Sequence, residues 1–279
     1  MHVVITGAGG MLARELTSAF EDGWKITTLS RADLDVSIWG DVFDRFETLN
    51  PDVVINAAAY TDVDGCETNV DHAMRVNAIG AKNVAAASEI IQAQCVQVST
   101  DFVFKGDQTT PYCENDPVAP EGVYARSKHW GEVLCREVSP HVTIVRTQWL
   151  YGHGGKNFVE TILKLASERD ELSIVEDQVG CPTFCRDLAR GIRRLVEEAT
   201  PGTYHLSAKG SCSWYEFAKV ILEMAGVKGC TVKPTTAAAF GRPAPRPAYS
   251  VLRNYHLELT LGDFVRDWRE MLQEYLSER

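Results

Sequence analysis

Several signatures that each mark a class of protein are missing from this 279-residue sequence. No apolar run reaches 18 residues, which excludes a membrane-spanning helix. There is no basic excess: 28 Lys and Arg face 38 Asp and Glu, for a net charge of −10. A nucleic acid or an anionic membrane surface calls for the opposite sign, so neither is expected as a partner. A small anionic ligand needs only local donors and stays open. The eight cysteines, at 66, 95, 113, 135, 181, 185, 212 and 230, include no C-x-x-C spacing. Cys181 and Cys185 are the nearest pair, and no second pair or histidine completes a metal site with them. Free thiols are expected, not a disulfide frame or zinc. The opening MHVVITGAGG has neither a basic n-region nor a cleavable apolar region, so the expected location is cytoplasmic. Internal repeats and low-complexity segments are absent too.

What is present is an alternation. Apolar strands are expected at 2–5, 24–30, 51–60, 95–100 and 142–147, separated by helices from Met11 to Phe20 and over 37–49, 71–91 and 123–138. The strands are apolar throughout, as in a parallel sheet covered by helices on both faces. The expected class is α/β, a Rossmann-type doubly wound parallel sheet. After Trp149 the rhythm changes to helices at 157–169, 187–199 and 213–226, with short strands at 172–177 and 202–207. Ser213 and Glu216 are spaced as a capping box. The stretch GRPAPRPAYS (241–250) has too many prolines for a helix or central strand and reads most simply as an extended surface connector. Residues 263–276 predict a last amphipathic helix. The change of rhythm predicts one domain over 1–149 and a smaller C-terminal α/β domain over 150–279, with a return of some later segments to the first left open.

Between the first strand and helix lies TGAGGMLA. Gly7, Gly10 and Ala13 fit G-x-x-G-x-x-A; the form G-x-G-x-x-G fails because Leu12 stands in its last place. At a first βα junction such a turn lets a dinucleotide pyrophosphate approach the backbone and the helix N-terminus. The alternative is a tight turn without a ligand. The second strand ends in Ser30-Arg31 where an NAD-type site places an acid; these residues suit a 2′-phosphate and favour NADPH, with NADH open. Arg31 reads equally as a solvated turn residue. Asp35 is set back, toward the adenine side.

The segment VYARSKHWGE (123–132) places Tyr124 and Lys128 four residues apart, on one helical face. Reduction of a ketone needs a proton donor at the carbonyl oxygen, a second donor to orient it and a cationic neighbour. Tyr124 and Lys128 supply the first and last; Thr100, at a strand end, supplies the other. A free tyrosine ionises only at about pH 10, so the adjacent ammonium is expected to bring the Tyr124 phenolate within reach. Read alone, the pair is one turn of an ordinary surface helix, and Arg126 and Ser127 are spacers.

TGAGGMLA, NAAAY, STDFVF, YARSK and DQVGCPT, in this order, resemble an extended short-chain dehydrogenase/reductase. Within that superfamily the sequence is most similar to the dTDP-4-dehydrorhamnose reductase family, nearly end to end, including RTQWLYG, NFVETILKLA and RPAYSVLRN. The resemblance implies an NAD(P)-binding first domain and a mainly substrate-binding second one. It assigns catalysis to Thr100, Tyr124 and Lys128, and sugar contacts to Thr100, Asp101, Tyr124 and Trp149. It lines the cofactor with Gly7, Gly10, Met11, Leu12, Asp35, Val36, Ala59, Tyr60 and Thr61, beside Tyr124 and Lys128. The implied substrate is a nucleotide-linked 4-keto-6-deoxy sugar, and Arg242 and Arg246 are candidates for its diphosphate. The family is also associated with Mg²⁺ at a dimer contact involving glutamates; Glu15 falls at one such place, so Mg²⁺ and a homodimer are open beside a metal-free monomer. Related 4,6-dehydratases carry Thr-Asp-Glu where this chain has Thr100-Asp101-Phe102, and Phe102 cannot supply the acid and base of dehydration. An epimerase, and a non-catalytic subunit resembling the regulatory one of methionine adenosyltransferase, remain alternatives.

Overall fold

Five successive buried residues, His2–Thr6, form β1 in a computed structural model describing residues 1–279. The chain continues through α1 (Met11–Ala19), β2 (Lys25–Leu29), α2 (Trp39–Leu49) and β3 (Val53–Asn56). Side chains alternate across a strand. Val3 and Ile5 therefore enter one core with Leu12 and Leu16 of α1 and with Phe20 just after it, while Val4 enters another with Val42 and Phe46 of α2. A sheet buried on both faces follows. The third strand is shorter than expected from 51–60: pairing stops at Asn56, and 57–59 leave the sheet to line a cleft.

Next come α3 (Val63–Thr68), α4 (Val70–Met74), a π-helical turn (Arg75–Gly80) and α5 (Ala81–Ile90). The expected single helix 71–91 thus contains a widened turn, which a 3.6-residue period cannot reveal. It lies where α6 (Gly122–Val138) crosses, after β4 (Gln94–Thr100). There Gly131 of α6 meets the Asn77 carbonyl so closely that no side chain would fit. Then come β5 (Val142–Thr147), β6 (Leu150–Tyr151), α7 (Phe158–Glu168), β7 (Glu171–Val175), β8 (Val179–Gly180), β9 (Thr183–Phe184) and α8 (Cys185–Glu198). The chain ends through β10 (Thr203–His205), β11 (Cys212–Ser213), α9 (Trp214–Met224), β12 (Thr231–Thr235), α10 (Ala237–Phe240), α11 (Tyr255–Thr260) and α12 (Trp268–Ser277). The capping box forms: Ser213 Oγ accepts from the Glu216 N–H, and the Glu216 carboxylate accepts from the Ser213 N–H. The last helix starts later than 263, at Trp268, because Asp267 caps it.

The main sheet is parallel, in the order β10-β5-β4-β3-β1-β2. Its sixth strand, β10, comes from beyond residue 150, and α8 packs on α1. Strand order reverses between β1 and β3, the switch point where α/β sheets open a ligand crevice at their C-terminal edge. No helix is long and apolar enough to cross a membrane.

Candidate active site

At that switch point Gly7 has φ +79°, and a Cβ on it would stand 2.8 Å from the Ala57 carbonyl and the Ala58 nitrogen. Only glycine lets the two strand ends approach this closely. Gly10 precedes α1 with no side chain capping the helix, which leaves first-turn N–H groups for an anion. The cradle fits a dinucleotide pyrophosphate. Gly7, Gly10, Met11, Leu12, Ala59 and Thr61 line a cleft of about 910 Å³. Ser30, Arg31, Asp35, Val36 and Tyr60 stand outside that lining. Ser30 donates to Asp33, Asp35 accepts from Ser37, and Val36 is buried with its carbonyl accepting from Asn83. Arg31 is exposed and makes no salt bridge.

Thr100, Tyr124 and Lys128 meet in the same cleft, brought by the end of β4 and by α6. Lys128 is 5% exposed, and its Nζ donates to the Val98 carbonyl at 2.7 Å. Burial pushes its ammonium down to about 8, against the opposing pull of Glu132. Burial pushes the half-buried Tyr124 phenol well up, with the Thr100 hydroxyl opposing it and the Asp101 charge adding to it. This corrects one expectation. A lysine four residues away does not by itself bring the phenolate within reach; burial dominates, and the phenol stays protonated. The Thr100 hydroxyl donates to Asp101 Oδ1 at 2.9 Å. Asp101 is 2% exposed, its Oδ2 has no partner, and burial raises its carboxyl to about 6.

Ser127 is no spacer. It is fully buried, donates to the Tyr124 carbonyl at 2.8 Å and accepts from Asn77 Nδ2 at 3.0 Å. Asn77 also exchanges hydrogen bonds with both backbone groups of Tyr60. The π-turn thereby ties α6 to the loop after β3, and nothing in the sequence spacing announces it. Arg126 is exposed and bonds only its own helix, at the Gly122 carbonyl.

Trp149 lines the cleft with φ +46°, a left-handed backbone rare for a bulky residue. It stacks on Trp214 with centroids 3.5 Å apart, and Phe158 packs on Trp214 at 4.5 Å. Gly180 lies beneath Trp149 and has no room for a Cβ. Trp214 and Phe158 were missed in the sequence because each opens a helix that reads as core. Arg242 and Arg246 do reach the cleft wall, but not as free cations: Asp64 of α3 holds both. The proline-rich segment is therefore part of the site, not a plain connector.

The Mg²⁺ expectation does not fit these residues. Glu15 is 5% exposed and accepts from Arg186 Nε at 3.1 Å; the same guanidinium meets Glu274 and Glu278, while Arg266 bridges Asp187 and Glu274. Guanidinium groups fill the place a hard cation would take among oxygen ligands. No cluster of three or more His, Cys, Asp or Glu able to hold a metal is formed. Turnover measured in a chelator should equal that in added Mg²⁺; loss of most activity on chelation would refute this.

The family described as RmlD substrate binding domain matches residues 1–279. The chain is 45% identical to the Bacillus subtilis (strain 168) spore coat polysaccharide biosynthesis protein SpsK, over 99% of this chain and 97% of that protein. It is 45% identical to a solved dTDP-4-dehydrorhamnose reductase of Clostridium acetobutylicum, with TM-score 0.98 and coverage of 100% and 99%. It is 40% identical to a dTDP-4-dehydrorhamnose reductase of Bacillus anthracis str. Ames solved with NADP, with TM-score 0.97 and the same coverage.

Proposed function

The chain belongs to the RmlD substrate binding domain family, and from that membership we propose that it reduces the 4-keto group of a nucleotide-linked 4-keto-6-deoxy sugar with NADPH. It is an NAD(P)H-dependent oxidoreductase of the dTDP-4-dehydrorhamnose reductase type. The finer reading is conversion of dTDP-4-dehydro-L-rhamnose to dTDP-L-rhamnose for a surface polysaccharide. The observation that carries it is the meeting of Thr100, Tyr124 and Lys128 in one cleft with the Gly7 cradle.

Gly7, Gly10, Met11 and Leu12 would hold the cofactor's pyrophosphate, and exposed Arg31, free of a carboxylate partner, suits the 2′-phosphate. A bound nicotinamide supplies the hydride for the ketone carbon. Tyr124 gives its phenol proton to the ketone oxygen, in the protonated form that burial maintains. The Thr100 hydroxyl turns from Asp101 to donate to that same oxygen. Lys128, fixed on the Val98 carbonyl, offsets the phenolate left behind. Asp101 Oδ2, buried without a partner, accepts a sugar hydroxyl, and the Trp149–Trp214 stack offers the sugar an apolar wall. Phe102 packs edge-on against Tyr124 at 5.5 Å and brings neither acid nor base, which separates the site from a dehydratase.

The test is a panel of nucleotide-linked 4-keto sugars with NADPH or NADH, followed by the loss of reduced-nicotinamide absorbance. The dTDP-linked substrate with NADPH should react fastest. Tightly retained cofactor that is not consumed in step with the sugar would favour epimerisation instead, and no consumption with either nicotinamide would sink the reductase reading.

A further inference from the structure

The segment Arg242 to Pro247 has no helix and no strand pairing, yet it forms part of the cleft wall. What docks it is one carboxylate. Asp64 Oδ1 accepts from the Ala244 N–H at 3.2 Å and from Arg246 Nη1 at 3.0 Å; its Oδ2 accepts from Arg246 Nη2 and Arg242 Nη1, both at 3.1 Å. Four donors fill the accepting capacity of an ionised carboxylate, and they come from positions 242, 244 and 246. Alternation of this kind belongs to an extended chain, whose successive residues face opposite ways. Pro245 and Pro247 lie instead against Gly122 and Gly106, where a Cβ on either glycine would collide with the proline. Five of the six residues from Arg242 to Pro247 thus have an assigned contact.

We propose that Asp64 is the positioning residue of a diphosphate clamp: it presents Arg242 and Arg246 to the two phosphates of the nucleotide sugar. This rests on the nucleotide-sugar reading of the site. A guanidinium carries five N–H donors. Arg242, exposed, spends one on Asp64; Arg246 spends two on Asp64 and one on the Ala244 carbonyl. Donors remain on both after docking, so phosphate oxygens can bind without displacing the carboxylate. Arg246, held at both nitrogens and mostly buried, fixes the strap; Arg242 supplies most of the free donors. The pair is preorganised, so less ordering cost is left for the substrate to bear.

The experiment compares wild type, Asp64→Asn and Arg246→Lys, the last because lysine cannot make the two-point pair. For both variants KM for the nucleotide sugar should rise about tenfold, the effect of roughly one partly buried charge pair. The kcat at saturation and the affinity for NADPH should stay near wild type. By calorimetry dTDP should bind each variant more weakly, while thymidine, which lacks the phosphates, should bind as to wild type. A merely structural role would shift thymidine, NADPH and kcat as well, and that result overturns the proposal. Tighter dTDP binding by Asp64→Asn also overturns it, by making Asp64 a competitor of the phosphates. If wild type itself binds no nucleoside diphosphate, the substrate reading fails and the clamp with it; unchanged dTDP binding in the variants, with wild type binding intact, removes the clamp alone. Should Asp64→Asn not fold, Arg246→Lys reads the same contrast.

Discussion

Tyr124→Phe is expected to lower kcat by ~10²–10⁴, the usual worth of a positioned general acid, with NADPH affinity unchanged. The substitution removes one hydroxyl from a half-buried ring that keeps its edge-on contact with Phe102. Nothing in the glycine turn moves, so binding of the cofactor, followed by its fluorescence, should not change. Turnover at the wild-type rate would end the assignment. The pH profile of the wild type gives a second handle. Burial lowers the Lys128 ammonium to about 8, so the charge is present below that value and lost above it. The free-enzyme parameter kcat/KM should therefore fall as pH rises through about 8; a profile flat across that range would show that the lysine charge is not needed. Tyr124 itself is held protonated throughout, because burial moves it upward.

The largest loss of stability is expected from Arg146→Met. Arg146 and Glu132 are 3% and 0% exposed, joined by two bonds of 2.9 and 2.7 Å, and Ser99 donates to the same carboxylate at 2.6 Å. Burial alone would raise the Glu132 carboxyl; the Arg146 guanidinium outweighs it and holds it low. Removing the cation leaves a buried charge whose remaining direct partners are Ser99 and the partly exposed Arg136, with the Lys128 ammonium acting on it only from farther off. Such breakage costs about 3–5 kcal/mol, which in a chain of this size lowers the melting temperature by roughly 10 °C. The double variant Arg146→Met with Glu132→Leu should be more stable than the single one, since no charge is then stranded. A single variant melting with the wild type would mean that water already reaches Glu132.

Local features of the fold were legible. A buried strand, a glycine turn and an amphipathic helix are each written within about 20 residues, and so were β1, α1 and the capping box of α9. The Tyr124/Lys128 pair was legible for the same reason, lying within one helix. What escaped depends on partners far away in the chain. Asn77 meets Ser127 and Tyr60 only because the π-turn faces α6. Asp64 meets Arg242 and Arg246 across most of the sequence. β10 reads as part of a second unit but pairs with β5 of the first. Charge tells the same story: arginines look free in a sequence until the fold hands them a carboxylate, as with Arg186 among Glu15, Glu274 and Glu278.

The late arrival of β10 also sets a schedule for the newborn chain. When Thr147 has left the ribosome, the first five strands are complete, but the outer edge of β5 still has no neighbour. The segment up to Thr203 takes roughly 3–11 s to be made at ~5–20 residues per second. For that interval VTIVRT, an apolar and β-branched strand, shows unpaired N–H and C=O groups to any other nascent chain. The three residues of β10 cover Ile144 to Arg146 of that edge, so their synthesis replaces a long apolar edge by a strand of only three residues, the kind of short edge that resists pairing with other chains.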